Sequence, residues 1–230
     1  MAHPVRPQDA HFDAIADEYD SSIPDHVIEH LTLRRIELVE SLVPGGKVLD
    51  VGCGTGRLLS ALPPRYERAG IDVSARMLEF ARDKGLQVEQ ASSDGLPFEN
   101  DSFDLAATFA VLHHLIDPDL VRASLHEMVR VVRPGGAVIV WDHNPLNPYW
   151  RFLMARSPQD QGDERLVPAR LILNGLRETD ARDVSLTRMT FTPDFIPPGA
   201  LPTVARLERV LERIPLVNLL AAHNVAVARV

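Results

Sequence analysis

The loop Gly52-Cys53-Gly54-Thr55-Gly56 follows the apolar run Val48-Leu49-Asp50-Val51, and its glycines let the backbone turn tightly and come close to a ligand. Asp72 closes the next apolar run, 20 residues after Gly52, where a carboxylate can accept hydrogen bonds from both hydroxyls of a ribose. Asp94, ahead of Gly95, follows a third run and can accept from the exocyclic amine of a purine. Each feature alone also has a plain structural reading: a tight turn, a helix cap, a turn aspartate before glycine. Together they mark the ends of three successive strands, and ligands of open α/β sheets bind outside those ends.

A second set of residues could move protons. His113 and His114 follow a fourth apolar run, and Asp142-His143-Asn144 follow a fifth. A neutral imidazole near pH 7 can take a proton from a hydroxyl, an amine or an activated ring carbon. His143 is the first choice for that base, with Asp142 to orient its ring and Tyr149 or Trp150 as walls. His113 and His114 are the other candidates, and they equally suit a post-strand turn and helix cap. Pro145 and Pro148 give the stretch around His143 a structural reading as well. His126 and His223 are read as uninvolved, and no metal site is indicated.

The elements that must position these groups follow from hydrophobic period and punctuation. Two amphipathic helices are predicted over residues 8–20 and 27–42, and Pro44-Gly45-Gly46 stops the second. Strands and helices then alternate. Ser74 and Asp117 sit at helix N-caps, the latter with Pro118 at the first helical position. Beyond a polar segment at 157–164, a helix near 166–176, a strand near 183–191, an amphipathic helix over 201–214 and a closing strand NVAVARV are expected. This rhythm predicts an α/β fold: a Rossmann-like, seven-stranded, mostly parallel sheet with helices on both faces and an antiparallel last strand. One domain over 1–230 is expected, with a cofactor core at 8–142 and acceptor-site and lid elements at 143–222.

Composition narrows the partners. With 45% hydrophobic and 24% charged residues the chain is ordinary for a folded globular protein. Its net charge of −8 leads to the expectation of no nucleic-acid partner, since phosphate binding needs concentrated Lys and Arg. Cys53 is the single cysteine, so neither an internal disulfide nor a cysteine metal cluster can form. The first ten residues carry no apolar signal segment, and a cytoplasmic location is expected.

In this order, VLDVGCGTG, GIDVSARMLEFAR, SSDGLPFENDSFDLAATFAVLHHL and RVVRPGGAVIVWD resemble the successive motifs of class I S-adenosylmethionine (SAM)-dependent methyltransferases, in their UbiE/COQ5-like (methyltransferase type 11) group. The likeness includes FDAIADEYD and spans residues 8–142. It implies SAM as cofactor and transfer of its methyl group to a small-molecule acceptor. It also implies that Asp50 and the loop Gly52, Cys53, Gly54 and Gly56 surround the methionine part and that Asp72 with Val73 holds the ribose. Asp94 and Gly95 would hold the adenine, Met77 would pack near its face, Ala110 would lie beside the cofactor, and Tyr19 would close over it.

Two other functions share parts of this pattern. A nicotinamide or flavin oxidoreductase needs G-x-G-x-x-G, and here Arg57 stands where the third glycine belongs. A non-catalytic SAM-binding scaffold would keep the loop and lose the acceptor site. The 201–214 helix, with Arg206, Arg209 and Arg213 among leucines and valines, suits a membrane surface. Such stripes usually pack on their own domain, and that is the expectation here, with the helix as part of a lid.

Overall fold

In the computed structural model, which describes residues 7–153 and 164–230, seven strands form one sheet in the order β3-β2-β1-β4-β5-β7-β6. They are β1 (Gly46–Val51), β2 (Tyr66–Asp72), β3 (Gln87–Gln90), β4 (Phe103–Phe109), β5 (Val132–His143), β6 (Arg182–Met189) and β7 (His223–Arg229). The first five are mutually parallel, and β7 runs antiparallel to both β5 and β6, as the sequence predicts for the last strand. Strand β1 lies between β2 and β4, so the order of winding reverses there. A crevice opens at that reversal, outside the carboxyl ends of β1 and β4.

The central strands read as unbroken apolar runs because helices cover both faces. Leu49, Val138 and Val140 meet Leu125 and Met128 of α5 (Pro118–Val131) and Ile172 and Leu176 of α7 (Ala169–Arg177) on one face. On the other, Val48, Ile139 and Trp141 share a core with Val39 of α2 (Asp25–Leu42), Leu59 of α3 (Arg57–Ala61) and Leu78 of α4 (Ala75–Asp83). The predicted caps form: Ser74 Oγ accepts from Met77 N at 3.0 Å, and Asp117 Oδ1 accepts from Asp119 N at 2.9 Å. The N-terminal helix α1 (Pro7–Tyr19) is pinned to the start of α4, where Asp13 Oδ1 accepts from Ser74 Oγ at 2.6 Å and from Arg76 N at 3.0 Å.

The post-strand turn read at His113 and His114 is present as a 3-10 turn at Leu112–His114. Two features depart from the sequence reading. A short helix α6 (Pro148–Leu153) beside the crevice was not anticipated. The predicted 201–214 helix ends as α8 (Leu201–Leu211), and Pro215 starts a separate turn, α9 (Pro215–Asn218). The polar segment at 157–163 lies outside the described residues.

Helix α8 also departs from expectation. Only part of its apolar stripe turns inward: Leu201, Val204 and Leu211 are half-buried, Leu207 and Val210 are exposed, as is Ile214 just beyond the helix, and Glu208 is fully buried. The Glu208 carboxylate accepts from His30 Nε2 at 3.0 Å, Phe191 N at 2.7 Å, Thr192 N at 3.0 Å and Thr192 Oγ1 at 2.8 Å. Arg34, itself buried, adds ion pairs to Glu208 at 3.5 Å and Glu212 at 2.8 Å. Satisfied donors thus replace apolar contact as the glue between α2 and α8.

Burial alone would raise the Glu208 carboxyl, but the donors from His30, Phe191 and Thr192 outweigh it and hold its pKa at about 2. A depressed carboxyl stabilises the fold above its unfolded pKa and loses that contribution as the pH falls toward 2. Glu208→Ala leaves buried Arg34 short of one partner and is expected to cost about 3–5 kcal/mol in urea denaturation at neutral pH. It should also flatten the acid-side loss of stability below about pH 4.3.

Candidate active site

The glycine loop is tied to the end of β2 by its backbone. Gly52 N and Cys53 N both donate to Ile71 O at 2.8 Å, and Gly54 N donates to Asp72 Oδ2 at 2.8 Å. Ser74 N donates to Asp72 Oδ1 at 2.9 Å, so each oxygen holds one backbone N–H and keeps acceptor capacity for a diol. Burial lifts Asp72 above the ordinary carboxylate range against the pull of these N–H groups. Glycine is required at the first turn: at Gly52 (φ +82°) an added Cβ would stand 2.4 Å from Val111 Cγ2. At Gly54 (φ +52°) it would meet nothing within 4 Å, because that face of the loop opens on the crevice.

Asp50, at the end of β1, and Arg35 line one cavity and feel each other's charge. Asp50 Oδ1 is buried without a hydrogen-bond partner, and burial raises its carboxyl to about 7, with Arg35 opposing and Asp72 adding to the shift. Arg35, on α2, lies over the Phe109 ring at 5.1 Å, and its buried Nε has no partner among the described residues. Burial lowers its pKa from the usual high value, opposed by Asp50 and Tyr19. A buried carboxylate and guanidinium that do not pair directly suit a ligand carrying both an ammonium and a carboxylate, as an α-amino acid does. Sequence reasoning missed Arg35; a charge interrupting the apolar spacing of α2 was its signal.

Two cavities share Tyr19, Gly52, Gly54, Phe109, Ala110 and His114 on their walls. The smaller, about 100 Å³, is also bounded by Asp72, Val73 and Met77, and by Ser92 and Ser93, which the sequence reading passed over. Asp94 lies just behind them, accepting from the Ser92 hydroxyl, and Gly95 is exposed; neither lines the cavity. Gly56 sits behind the loop, where a Cβ would strike Leu86 Cδ1 at 2.3 Å. Ala110 takes a left-handed φ of 58°, held by its N–H to Trp141 O at 2.8 Å, a conformation that costs a residue with a Cβ about 1–2 kcal/mol.

The larger chamber, about 310 Å³, is lined by Asp50, Cys53 and Arg35 together with His113, His143, His223, Tyr149 and Trp150. Asp142 organises the histidines. Its Oδ1 accepts from His143 N at 2.7 Å and pairs with His113 Nδ1 at 2.8 Å, and Oδ2 accepts from His113 N at 3.3 Å. A carboxylate only accepts, so His113 carries a hydrogen on Nδ1 toward Asp142. The His143 ring is stacked between His113 at 4.1 Å and Trp150 at 3.6 Å, and its buried Nδ1 has no partner. Burial, reinforced by His113 and His223, holds His143 well below the usual imidazole range.

His223, read from sequence as uninvolved, instead lines this chamber, bonded to Thr190 Oγ1 at 2.6 Å, and burial depresses it to about 3. Asn144 turns away to the carbonyls of Leu219 and Ala221. Ligand atoms of His113, Asp142 and His143 lie within 4.8 Å of one another, close enough to suggest a cation. Asp142 is already engaged by three N–H groups, which tie the trio together.

Residues 48–136 match the family model described as a methyltransferase domain. An uncharacterized protein of Methanocaldococcus jannaschii is 31% identical over 182 residues, covering 78% of this chain and 85% of that one. A crystal structure of a SAM-dependent methyltransferase from Thermotoga maritima superposes with a TM-score of 0.70 at 19% identity, over 96% of this chain and 99% of that one. The chain thus carries a methyltransferase domain over residues 48–136. A further relative, the tRNA (carboxymethyluridine(34)-5-O)-methyltransferase of Arabidopsis thaliana, is 34% identical over 133 residues, or 55% of this chain. This chain spans only 33% of that relative's length. The likeness to a tRNA-modifying protein overturns the expectation of no nucleic-acid partner: net charge is a whole-chain average and excludes no local contact.

The residues fit the methyltransferase cofactor. The unpartnered Asp50 Oδ1 and Arg35 suit an amino-acid zwitterion, the free acceptor capacity of Asp72 suits a ribose, and Gly54 leaves room for both. Because Asp50 is ionised only above about pH 7, the affinity for S-adenosylhomocysteine is expected to rise about tenfold between pH 6 and pH 8. Calorimetry across that range tests this, and Asp50→Asn should bind weakly and without the slope.

Proposed function

We propose that this methyltransferase methylates a nucleophilic group of a small acceptor seated in the histidine-lined chamber, with His113 as the general base. Bound SAM supplies an activated methyl on a sulfonium, transferred by in-line displacement with S-adenosylhomocysteine as the leaving product. The protein's part is to hold the acceptor and receive its proton on the His113 imidazole. The observation that carries this reading is the Asp142–His113 pair, which orients an imidazole on the wall of the chamber that the glycine loop also lines. His143, first choice from sequence, becomes a stacked wall against Trp150. Positioning supplies much of the rate, on the scale of about 7–11 kcal/mol for well-oriented partners. The UbiE/COQ5-like grouping rests on motif order and belongs to this reading.

The tRNA-modifying relative favours a second reading, in which the chamber takes one nucleoside turned out of an RNA chain. Incubating enzyme and SAM with either a metabolite pool or bulk tRNA, and following S-adenosylhomocysteine and the methylated product, separates the two. No turnover with either sinks both and leaves a binding scaffold.

Two substitutions test the roles. Asp72→Ala is expected to weaken SAM binding at least about tenfold in calorimetry, the loss of charge-assisted hydrogen bonds; unchanged affinity removes the ribose assignment. His113→Gln should lower kcat by about 10²–10⁴ with SAM affinity retained, whereas His143→Gln should cost much less.

A further inference from the structure

Beyond the active site, α8, α9 and the turns between them present an apolar surface to solvent. Val210 is 54% exposed and Leu216 80%, and Leu207, Ile214, Leu219 and Leu220 are exposed with them. Arg206, Arg209 and Arg213 occupy the adjoining arc of the same helical turns, while Glu208 and Glu212 point the other way into His30 and Arg34. Arg209 pairs with Glu37 at 2.8 Å, and neither Arg206 nor Arg213 meets a carboxylate among the described residues. From Leu201 to Leu220 every exposed charge is therefore positive, in a chain whose net charge is −8.

This face runs up to the chamber. Asn144 and Asn147 hold the carbonyls of Leu219 and Leu220 at 2.9 Å and 2.7 Å, and Trp150 Nε1 donates to Ala222 O on the chamber wall. Phe195, 73% exposed, meets the chamber residue Tyr149 edge-on at 6.4 Å.

We propose that this face seats the protein on an anionic lipid bilayer, with the aliphatic side chains in the interfacial layer and Arg206 and Arg213 on lipid phosphates. An aliphatic arc flanked by arginines, with its acids turned inward, is the pattern of an interfacial helix. An RNA partner would satisfy the arginines but leave the leucines against water, and α8 and α9 offer no aromatic ring for base stacking. A second copy laid on the same patch would bring two sets of unpaired arginines together.

Flotation of the full chain with phosphatidylcholine vesicles, with and without phosphatidylglycerol, tests the proposal. Binding to the anionic vesicles is expected to exceed that to the neutral ones at least about tenfold and to weaken with added salt. Val210→Asp/Leu216→Asp and, separately, Arg206→Glu/Arg213→Glu should each abolish it while the SAM-induced thermal shift stays as in the parent. Absence of flotation with anionic vesicles overturns the proposal. So does a dimer in sedimentation that Val210→Asp/Leu216→Asp dissolves without any vesicle binding. Binding of tRNA that needs the arginines but not Val210 or Leu216, with no flotation, assigns the face to nucleic acid instead.

Discussion

The contact on which the site depends is the hydrogen bond from Gly54 N to the Asp72 carboxylate, seconded by Ser74 N on the other oxygen. It joins the loop after β1 to the end of β2, and so fixes the distance between the two places where the motif resemblance puts the cofactor. A half-buried carboxylate held by backbone N–H groups is ordered, and an ordered acceptor aimed at a crevice needs no rearrangement when a diol arrives. Gly52 and Gly56 make the loop geometry possible, since side chains there would collide with Val111 and Leu86. Parallel pairing of β1 with β2, in register from Gly46 with Tyr66 to Val51 with Ile71, carries both ends to the same rim.

Electrostatics then tune the crevice. Asp50 is buried and Arg35 half-buried without pairing directly; burial raises the carboxyl and lowers the guanidinium, each opposed by the other's charge, which leaves both to meet a ligand that carries an ammonium and a carboxylate. Burial also keeps His114, His143 and His223, which line the same chamber, neutral.

Much of this was legible in the residues because parallel strands read as apolar runs and glycine loops follow them. The caps at Ser74 and Asp117, the winding of the sheet and the placement of Asp50 and Asp72 all come from local pattern. What stayed hidden depends on distant partners. His223 enters the chamber from the start of β7, and Arg35 from the middle of a helix, and neither neighbourhood carries a local motif. Ser92 and Ser93 displaced Asp94 from the cavity wall by one and two positions, a difference set by the turn rather than by residue type. Helix α8 misled because hydrophobic period shows that a helix has two faces, not which one is inside; Glu208, with four donors from α2 and the 191–192 backbone and side chain, won the interior.

The central claim is that one rim of the sheet grips an adenosyl amino acid through Asp72 at the ribose and Asp50 at the amine. A crystal structure with S-adenosylhomocysteine tests it most directly. The account predicts both ribose hydroxyls on the Asp72 carboxylate and the amino group against Asp50 Oδ1, at ordinary hydrogen-bond distances of about 2.7–3.2 Å. Density for the ligand elsewhere, or with its ribose away from Asp72, would contradict it.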